Sequence, residues 1–416
     1  MKRDVSAKAA LAAGLIGFCG LIYLVVWDRI LKYYFGNDAV SATVIAAACL
    51  LGLGIGTYIA GHCGKCSVKT LAVFELACGL FGMLSSHLIA AVAPLVAGAL
   101  KVVPEQMEGV RAAVMVGSLL LLMPPAALIG GGLRLLFKNF PRVRGGLIQA
   151  FLALGACLGT LAVPCLVLYR FDLPAVLMIA GGINIALALA LYLWSRKSPA
   201  TAHDTHAPGG NEDSRLRPLL QALSFVAGFT VIVLGISLLR AMSIANPSSA
   251  YNFPLTLTLF LSAFALGSLL FVRGVAADRD VILYRAGWLL AGAGLAMLLG
   301  IWSASYLQAN YYPVSFLPLL GGNYDVLFWS MVFSMLLIMP APLLLGAVLS
   351  LLDKLHSARL WTAFFLGGCG GLLRAGFAGF PLLGTRGLLS LIYCLACGSG
   401  IALMAWIWRR DVQRGG

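Results

Sequence analysis

Residues 9–27 read AALAAGLIGFCGLIYLVVW and are followed directly by Asp28 and Arg29. A run of ~20 apolar residues is long enough to cross the ~30 Å hydrocarbon core of a bilayer. The basic stretch in front of it, Met1 to Lys8, is also typical of a secretory signal peptide. Because Asp28-Arg29 stands where a cleavage site of small residues would be needed, we expect a first permanent transmembrane helix.

The composition of the whole chain agrees with a membrane protein. Of its 416 residues, 61% are hydrophobic and 11% are charged, against about 45–50% and about 25% in soluble domains. The formal net charge of +14 raises the question of nucleic acid or anionic lipid as a partner. The basic residues fall at helix ends, so the expected partner is the lipid bilayer and not nucleic acid. The cysteines lie mostly inside apolar segments, and neither disulfides nor a cofactor is expected.

Apolar segments of similar length recur along the chain with short polar breaks between them. This pattern predicts an all-α polytopic membrane protein of about twelve transmembrane helices. The predicted segments are residues 10–27, 39–61, 70–98, 112–136, 146–169, 173–194, 217–239, 252–272, 282–304, 326–352, 360–384 and 387–408.

The orientation follows from the distribution of Lys and Arg among the connections. With the N-terminus inside, 21 of these residues fall on the cytoplasmic side and 7 on the other side, with Arg374 inside a helix. Short basic connections resist translocation. We therefore expect a multi-pass protein of the cell's inner (plasma) membrane with both termini in the cytoplasm.

The longest polar stretch, residues 195–217, reads as a flexible cytoplasmic linker. It separates a first six-helix half, residues 1–194, from a second six-helix half, residues 218–416. The second half repeats features of the first. Gly17-Phe18, Arg29 and Gly56-Thr57 recur after 211 residues as Gly228-Phe229, Arg240 and Gly267-Ser268, while Met123-Pro124 and Gly130 recur after 216 residues as Met339-Pro340 and Gly346.

A duplicated six-helix unit accounts for this internal repeat. Because six is even, the second unit enters the membrane in the same orientation as the first. Parallel halves related by an axis along the membrane normal are the arrangement of major facilitator transporters. The predicted fold class is therefore major facilitator-like, with two six-helix pseudo-repeats.

At these repeated positions the sequence resembles the membrane domain of spermidine synthase-like proteins, a major facilitator-like domain often fused to a spermidine synthase. The residues that carry the resemblance are Gly17-Phe18 to Leu21, Tyr23, Trp27, Arg29, Phe35-Gly36, Gly52 to Gly61, Glu75, Gly79, Pro124 to Gly130, Gly155, Gly159 and Asn184.

The chain departs from that family at several positions. Leu24 stands where the family has a glutamate in the first helix, and Gln149 and Leu152 replace a tyrosine and an asparagine of the fifth helix. No strand, turn and helix unit with a glycine fingerprint is present to hold decarboxylated S-adenosylmethionine. Spermidine synthase activity, or any other enzymatic activity, is therefore not expected.

Arg374 is the sharpest candidate for a solute contact. It lies inside the eleventh segment beside a glycine-rich stretch, residues 367–371. A central Arg costs about 2.5–3.5 kcal/mol unless it faces a polar cavity or a partner. We expect Arg374 either to bind an anionic group of a solute or to bind backbone carbonyls at a helix break.

Three further charged residues are candidate solute contacts. Glu75 is the one carboxylate inside a predicted span, ~7 Å deep at ~1.5 Å per residue; it serves either as an interfacial partner of a basic residue or as a proton or cation site. Arg29 and Arg240 occupy equivalent helix ends, where they either extend to lipid head groups or form a paired anion site.

Two other patterns are weaker. Pro124-Pro125 and Pro340 with Pro342 are expected to break the fourth and tenth helices at matching places, either around a transport pathway or as a packing feature. His62, Cys63 and Cys66 supply three potential zinc ligands, but no fourth ligand is evident. Free thiols are the expected state, so no metal is assigned.

Two functions remain open from sequence. The first is a transporter that moves or binds a small polar or anionic solute between its halves. The second is a membrane scaffold or subunit that anchors a separate soluble enzyme or redox partner. An intramembrane enzyme is disfavoured because no catalytic constellation lies at one depth.

Overall fold

The computed structural model of the chain describes residues 2–35, 39–62, 67–102, 107–140, 143, 145–197, 216–245, 252–271, 279–311, 339–355 and 360–415. These residues are almost entirely helical. The helices are α1 (Lys2–Phe35), α2 (Ala39–His62), α3 (Val68–Val102), α4 (Met107–Asn139), α5 (Gly145–Tyr169), α6 (Leu173–Lys197), α7 (Leu216–Ala245), α8 (Asn252–Leu270), α9 (Arg279–Tyr311), α10 (Pro340–Asp353), α11 (Leu360–Arg374) and α12 (Phe380–Gly415), with a π-helical turn at Ala375–Gly379 between the last two.

Ten helical stretches within these ranges are long and apolar enough to cross a bilayer. The last of them, Leu360–Arg410, has 51 residues, which at ~1.5 Å per residue is more than twice the ~30 Å of a hydrocarbon core. Gly384, with φ 66° and ψ −179°, divides it. The predicted all-α polytopic fold is therefore confirmed, with eleven full spans in the described residues and the shorter α10.

The chain reverses direction at Gly384. A Cβ placed on Gly379 would lie 2.8 Å from Cδ1 of Leu388, although nine residues of straight helix would separate these positions by ~13.5 Å. Glycine adopts a positive φ without the steric cost that other residues meet. Residues 380–383 therefore complete the eleventh span, and residues 385–415 form the twelfth.

The helices pack in equivalent pairs in the two parts of the chain. Among the first six helices the main pairs are α1 with α5, α2 with α4, and α3 with α6. Among the last six they are α7 with α11, α8 with α10, and α9 with α12. We call helices α1–α6 the first half and α7–α12 the second half; the halves meet along α2 with α11 and α5 with α8.

Small residues allow the paired helices to approach closely. A Cβ on Gly56 would overlap the carbonyl oxygen of Ala127, and a Cβ on Gly267 would overlap that of Leu343. The repeated glycines of the sequence thus make the same backbone contact in each half. Close approach through small residues is a common means of helix association in lipid, where the hydrophobic effect between helices is absent.

α4 remains helical through Pro124 and Pro125, so these two prolines do not end the helix, contrary to the expectation. Pro340 and Pro342 lie at the start of the described part of α10, and the residues before Met339 are outside the described ranges, so a break there stays a prediction. Inside α4 the prolines leave carbonyl groups without their usual partners, and packed neighbouring helices make this tolerable in a membrane.

Candidate functional site

We call the side of the protein on which α1 begins and α12 ends the terminus side. Near this side, α2 and α11 are joined by a buried contact between Thr57 and Thr362, whose hydroxyl oxygens are 3.0 Å apart. Thr57 donates its hydroxyl hydrogen to the carbonyl oxygen of Gly54 at 2.8 Å. Because Thr57 has a single hydroxyl hydrogen, Thr362 is the donor in the contact between the halves.

The other seam, between α5 and α8, carries a second polar contact at a similar height. Gln149 Nε2 of α5 donates to the carbonyl oxygen of Gly346 in α10 at 3.4 Å. The Ser268 hydroxyl of α8 shares its single hydrogen between this carbonyl oxygen at 3.2 Å and that of Phe264 at 2.9 Å. Ser268 is the repeat equivalent of Thr57, so both seams place a hydroxyl at the same position.

Gln149 is incompletely satisfied. Its side chain is 1% exposed, and Oε1 has no hydrogen-bond partner among the residues that the structure describes. A buried acceptor without a partner costs about 1–3 kcal/mol. Gln149 therefore offers a free acceptor at the boundary between the halves.

A third contact closes the terminus side at the ends of α10 and α11. Trp361 Nε1 donates to Asp353 Oδ1 at 3.3 Å, and the Trp361 ring packs on Phe137 of α4 with centroids 5.2 Å apart. A Cβ on Gly145 would overlap the Asp353 carboxylate. The carboxylate of the second half thus lies against the first residue of α5, where the positive end of the helix dipole favours an anion.

These three contacts form one set, which we call the terminus-side gate: Thr57, Phe137, Gly145, Gln149, Ser268, Asp353, Trp361 and Thr362. Each member lies within about two turns of a helix end. In this structure the gate is closed. Separating the halves at this side would break these hydrogen bonds and ring contacts. It would also open the apolar contacts that Leu133, Leu152 and Ala153 make with the core of the second half.

The structure places Arg374 on the exposed side of α11. Leu366 and Phe377, four-tenths exposed, share this side of the helix. The residues that meet α7 and α2 lie elsewhere on α11: a Cβ on Gly371 would lie 3.2 Å from Cα of Phe229, and one on Gly368 would lie 3.5 Å from Cδ1 of Leu50.

Arg29 and Arg240 are both partly buried. The Arg240 guanidinium lies 4.4 Å from the centroid of the Phe380 ring, a cation–π contact. Two guanidinium groups cannot bind each other directly, so the paired anion site that their symmetry suggests stays a prediction.

Glu75 is buried inside the first half, with 2% of its surface exposed. A Cβ on Gly132 of α4 would lie 2.7 Å from Glu75 Oε1, and that oxygen has no hydrogen-bond partner among the described residues. The expectation of an interfacial carboxylate paired with a nearby basic residue does not agree with this burial. The third helix begins at Val68, so Glu75 lies deeper than the sequence segment predicts.

The weak metal candidates do not gain support. Cys63 and Cys66 lie outside the described residues, and His62 is exposed, with Nδ1 2.8 Å from the carbonyl oxygen of Tyr58. Across the described part of the chain, no group of three His, Cys, Asp or Glu side chains is arranged to hold a metal ion.

Sequence reasoning missed the gate, although one signal for it was visible. Ser268 is the repeat partner of Thr57, and Gln149 stands where the resembled family has a tyrosine, but nothing in the sequence shows that these residues face the other half. Asp353 and Trp361 lie at the two helix ends that flank a short connection, where polar and aromatic residues are ordinary. Their meeting with α4 and α5 depends on the packing of the two halves.

Comparison with known proteins gives a fold and no closer relationship. No protein-family model matches the chain, and no curated protein matches it. The resemblance to spermidine synthase-like proteins is therefore not supported by these comparisons.

Among solved structures, the chain is similar to XylE, a proton:xylose symporter of the major facilitator superfamily, in its complex with 6-bromo-6-deoxy-D-glucose. The TM-score is 0.59 at 13% sequence identity, over 98% of this chain and 96% of that chain. Identity this low supports the fold and not a shared substrate. The chain is a polytopic membrane protein with a major facilitator-like fold.

Proposed function

We propose that the chain is a transporter that moves a small polar or anionic solute by alternating access between its two halves. The observation that carries the proposal is the terminus-side gate. Two equivalent helix sets meet along two seams, and individual polar and aromatic contacts close one end. Alternating access in such folds is largely a rocking of one half against the other around a fixed site.

The solute site in this proposal lies between the halves, beyond the gate as seen from the terminus side. Gln149 is its nearest candidate contact, because Oε1 is buried at the seam and free to accept a hydrogen bond. Arg29 and Arg240 lie near the ends of α1 and α7 that are farther from the terminus side. They are candidates to attract an anionic solute. Enzymatic activity is not part of this proposal.

The terminus side is proposed to face the cytoplasm. The basic connections concentrate on this side, and short basic loops are retained in the cytoplasm during insertion. The protein would then be a multi-pass protein of the plasma (inner) membrane, and the structure would correspond to the state closed toward the cytoplasm.

A thermal-shift screen of the purified protein in detergent tests the proposal. The compounds are polyamines, organic anions, amino acids, nucleotides and monosaccharides. A ligand that binds only the folded state at about 100 times its Kd stabilises it by about 2.7 kcal/mol. We expect one class to raise the apparent Tm of the wild type and of Arg374→Ala, and to lose its effect in Gln149→Leu.

Arg374→Ala is the matched variant that distinguishes a solute site between the halves from a solute site on the exposed side of α11. Arg374 lies on the exposed side of α11, so its removal should leave a site between the halves intact. Loss of the shift in Arg374→Ala alone would instead place the solute on that exposed side. Absence of any ligand, together with a soluble protein that co-purifies in fixed ratio, would contradict transport and support a membrane scaffold.

A further inference from the structure

A stripe of polar side chains runs through the interior of the first half, away from the seams. It consists of Cys19, Tyr23 and Trp27 on α1, Glu75, Cys78 and Ser85 on α3, and Asn184 on α6; we call it the polar stripe. Each of these side chains is at most 3% exposed. The stripe takes no part in the terminus-side gate.

Hydrogen bonds connect the part of the polar stripe that lies farther from the terminus side. Trp27 Nε1 donates to Ser85 Oγ at 3.0 Å, and Asn184 Nδ2 donates to the Tyr23 hydroxyl oxygen at 3.3 Å. The Tyr23 and Trp27 rings are stacked with centroids 5.3 Å apart. From Glu75 to Ser85 the stripe covers ten residues of α3, which is ~15 Å or half of the hydrocarbon core.

Glu75 is the charged end of this stripe. It lies seven residues into the span that begins at Val68, ~10 Å from the start of the helix. An ionised carboxylate taken out of water without a counter-charge is very unfavourable, whereas the neutral acid is tolerated. Glu75 in this closed structure is therefore suited to hold a proton.

Among the residues that the structure describes, no basic side chain forms a hydrogen bond or ion pair with Glu75. Cys19 and Tyr23 of α1 and Cys78 of α3 lie near it, and α6 places the neutral Asn184 against Tyr23. α4 presents Gly132, and the nearby Arg134 points to α2, with Nε 3.8 Å from the position of a Cβ on Gly61. Cys19, Tyr23 and Cys78 are neutral in their protonated forms, so none of them supplies a positive counter-charge to a Glu75 carboxylate.

α4, which packs against the Glu75 carboxyl, also takes part in the terminus-side gate. Gly132 of α4 lies against the Glu75 carboxyl, and Phe137, five residues further along α4, packs on Trp361 of the second half. When the gate opens, this end of α4 loses its contact with Trp361. A shift of α4 would change how well Glu75 is shielded from water.

We propose that Glu75 is a proton-binding site inside the first half whose protonation is coupled to opening of the terminus-side gate. The proton is bound while the gate is closed and is released to water when α4 moves. This inference rests on the proposed transport function and adds the proton as a second transported or regulatory ion.

The protonation of Glu75 is measured by infrared titration of the purified protein. We expect a protonated-carboxyl band at neutral pH in the wild type that disappears in Glu75→Gln. Asp280→Asn is the matched control, because Asp280 is a carboxylate at the helix end in an ion pair with Arg410 at 3.4 Å, and the band should persist in it. Labelling with side-chain ¹³C-glutamate identifies the band without a substitution, should Glu75→Gln fold poorly.

Coupling is measured with spin labels on Arg196→Cys and Arg409→Cys, exposed positions at the terminus-side ends of α6 and α12, after the exposed native cysteines have been replaced. We expect the distance distribution to change with pH in the otherwise wild-type protein and to become independent of pH in Glu75→Gln.

A wild-type protein without a band assignable to Glu75 would overturn the proton site. A Glu75 band combined with a pH-independent distance would overturn the coupling. Neither outcome bears on solute binding, which the thermal-shift screen measures separately, so failure of this inference is distinguishable from failure of the transport function.

Discussion

At the residue scale, glycines decide how closely the helices approach. Gly56 and Gly267 each contact a backbone carbonyl of a neighbouring helix, whereas a Cβ on Gly398 would meet no atom within 4 Å. Overpacking a tight contact costs about 1–3 kcal/mol. Gly56→Ala and Gly267→Ala should each lower the apparent Tm in detergent, and Gly398→Ala should not. Equal stability of all three variants would contradict the contacts described here.

Gly384 has a different role, because its positive φ makes the turn between the eleventh and twelfth spans. At φ 66° and ψ −179° Gly384 adopts a conformation essentially confined to glycine, and a residue with a Cβ pays about 1–3 kcal/mol there. No atom lies within 4 Å of a Cβ built there, so Gly384→Ala isolates this backbone cost from crowding. We expect a loss of stability of that size by thermal unfolding, and an unchanged Tm would show that the turn adopts another conformation.

At the element scale, the seam between α2 and α11 fixes two residues that are 305 positions apart in the chain. The Thr57 and Thr362 hydroxyl oxygens are 3.0 Å apart, and two cysteines at these positions are close enough for a disulfide without large backbone movement. Thr57→Cys combined with Thr362→Cys should cross-link under mild oxidation, which a mobility shift after proteolysis between the halves reports. The single variants serve as controls, and an absence of cross-linking would contradict the seam.

The elements were largely predictable from sequence, but their contacts were not. Lengths of apolar runs located the spans, because only helices of about twenty residues satisfy their backbone groups across lipid. The repeated glycines also indicated equivalent packing in two halves. The gate escaped prediction because Asp353, Trp361 and Gln149 acquire their roles only from the partner half. The sequence places Arg374 inside a span but does not show which side of α11 carries it.

At the scale of the whole molecule, the proposed alternating access requires that the two halves separate at the terminus side. The Asp353 carboxylate against the first residue of α5 is one of the contacts that hold this side closed. Gly145→Leu places a side chain where that carboxylate lies, so it should weaken the closed state without altering either half. Gly398→Leu, at an open position on α12, is the matched control.

The most direct test is the distance between spin labels at Arg196→Cys and Arg409→Cys, measured by double electron–electron resonance in these two backgrounds. We expect one short-distance population in the Gly398→Leu control and an added longer-distance population in Gly145→Leu. Identical narrow distributions in both backgrounds would show that the halves do not separate and would contradict alternating access.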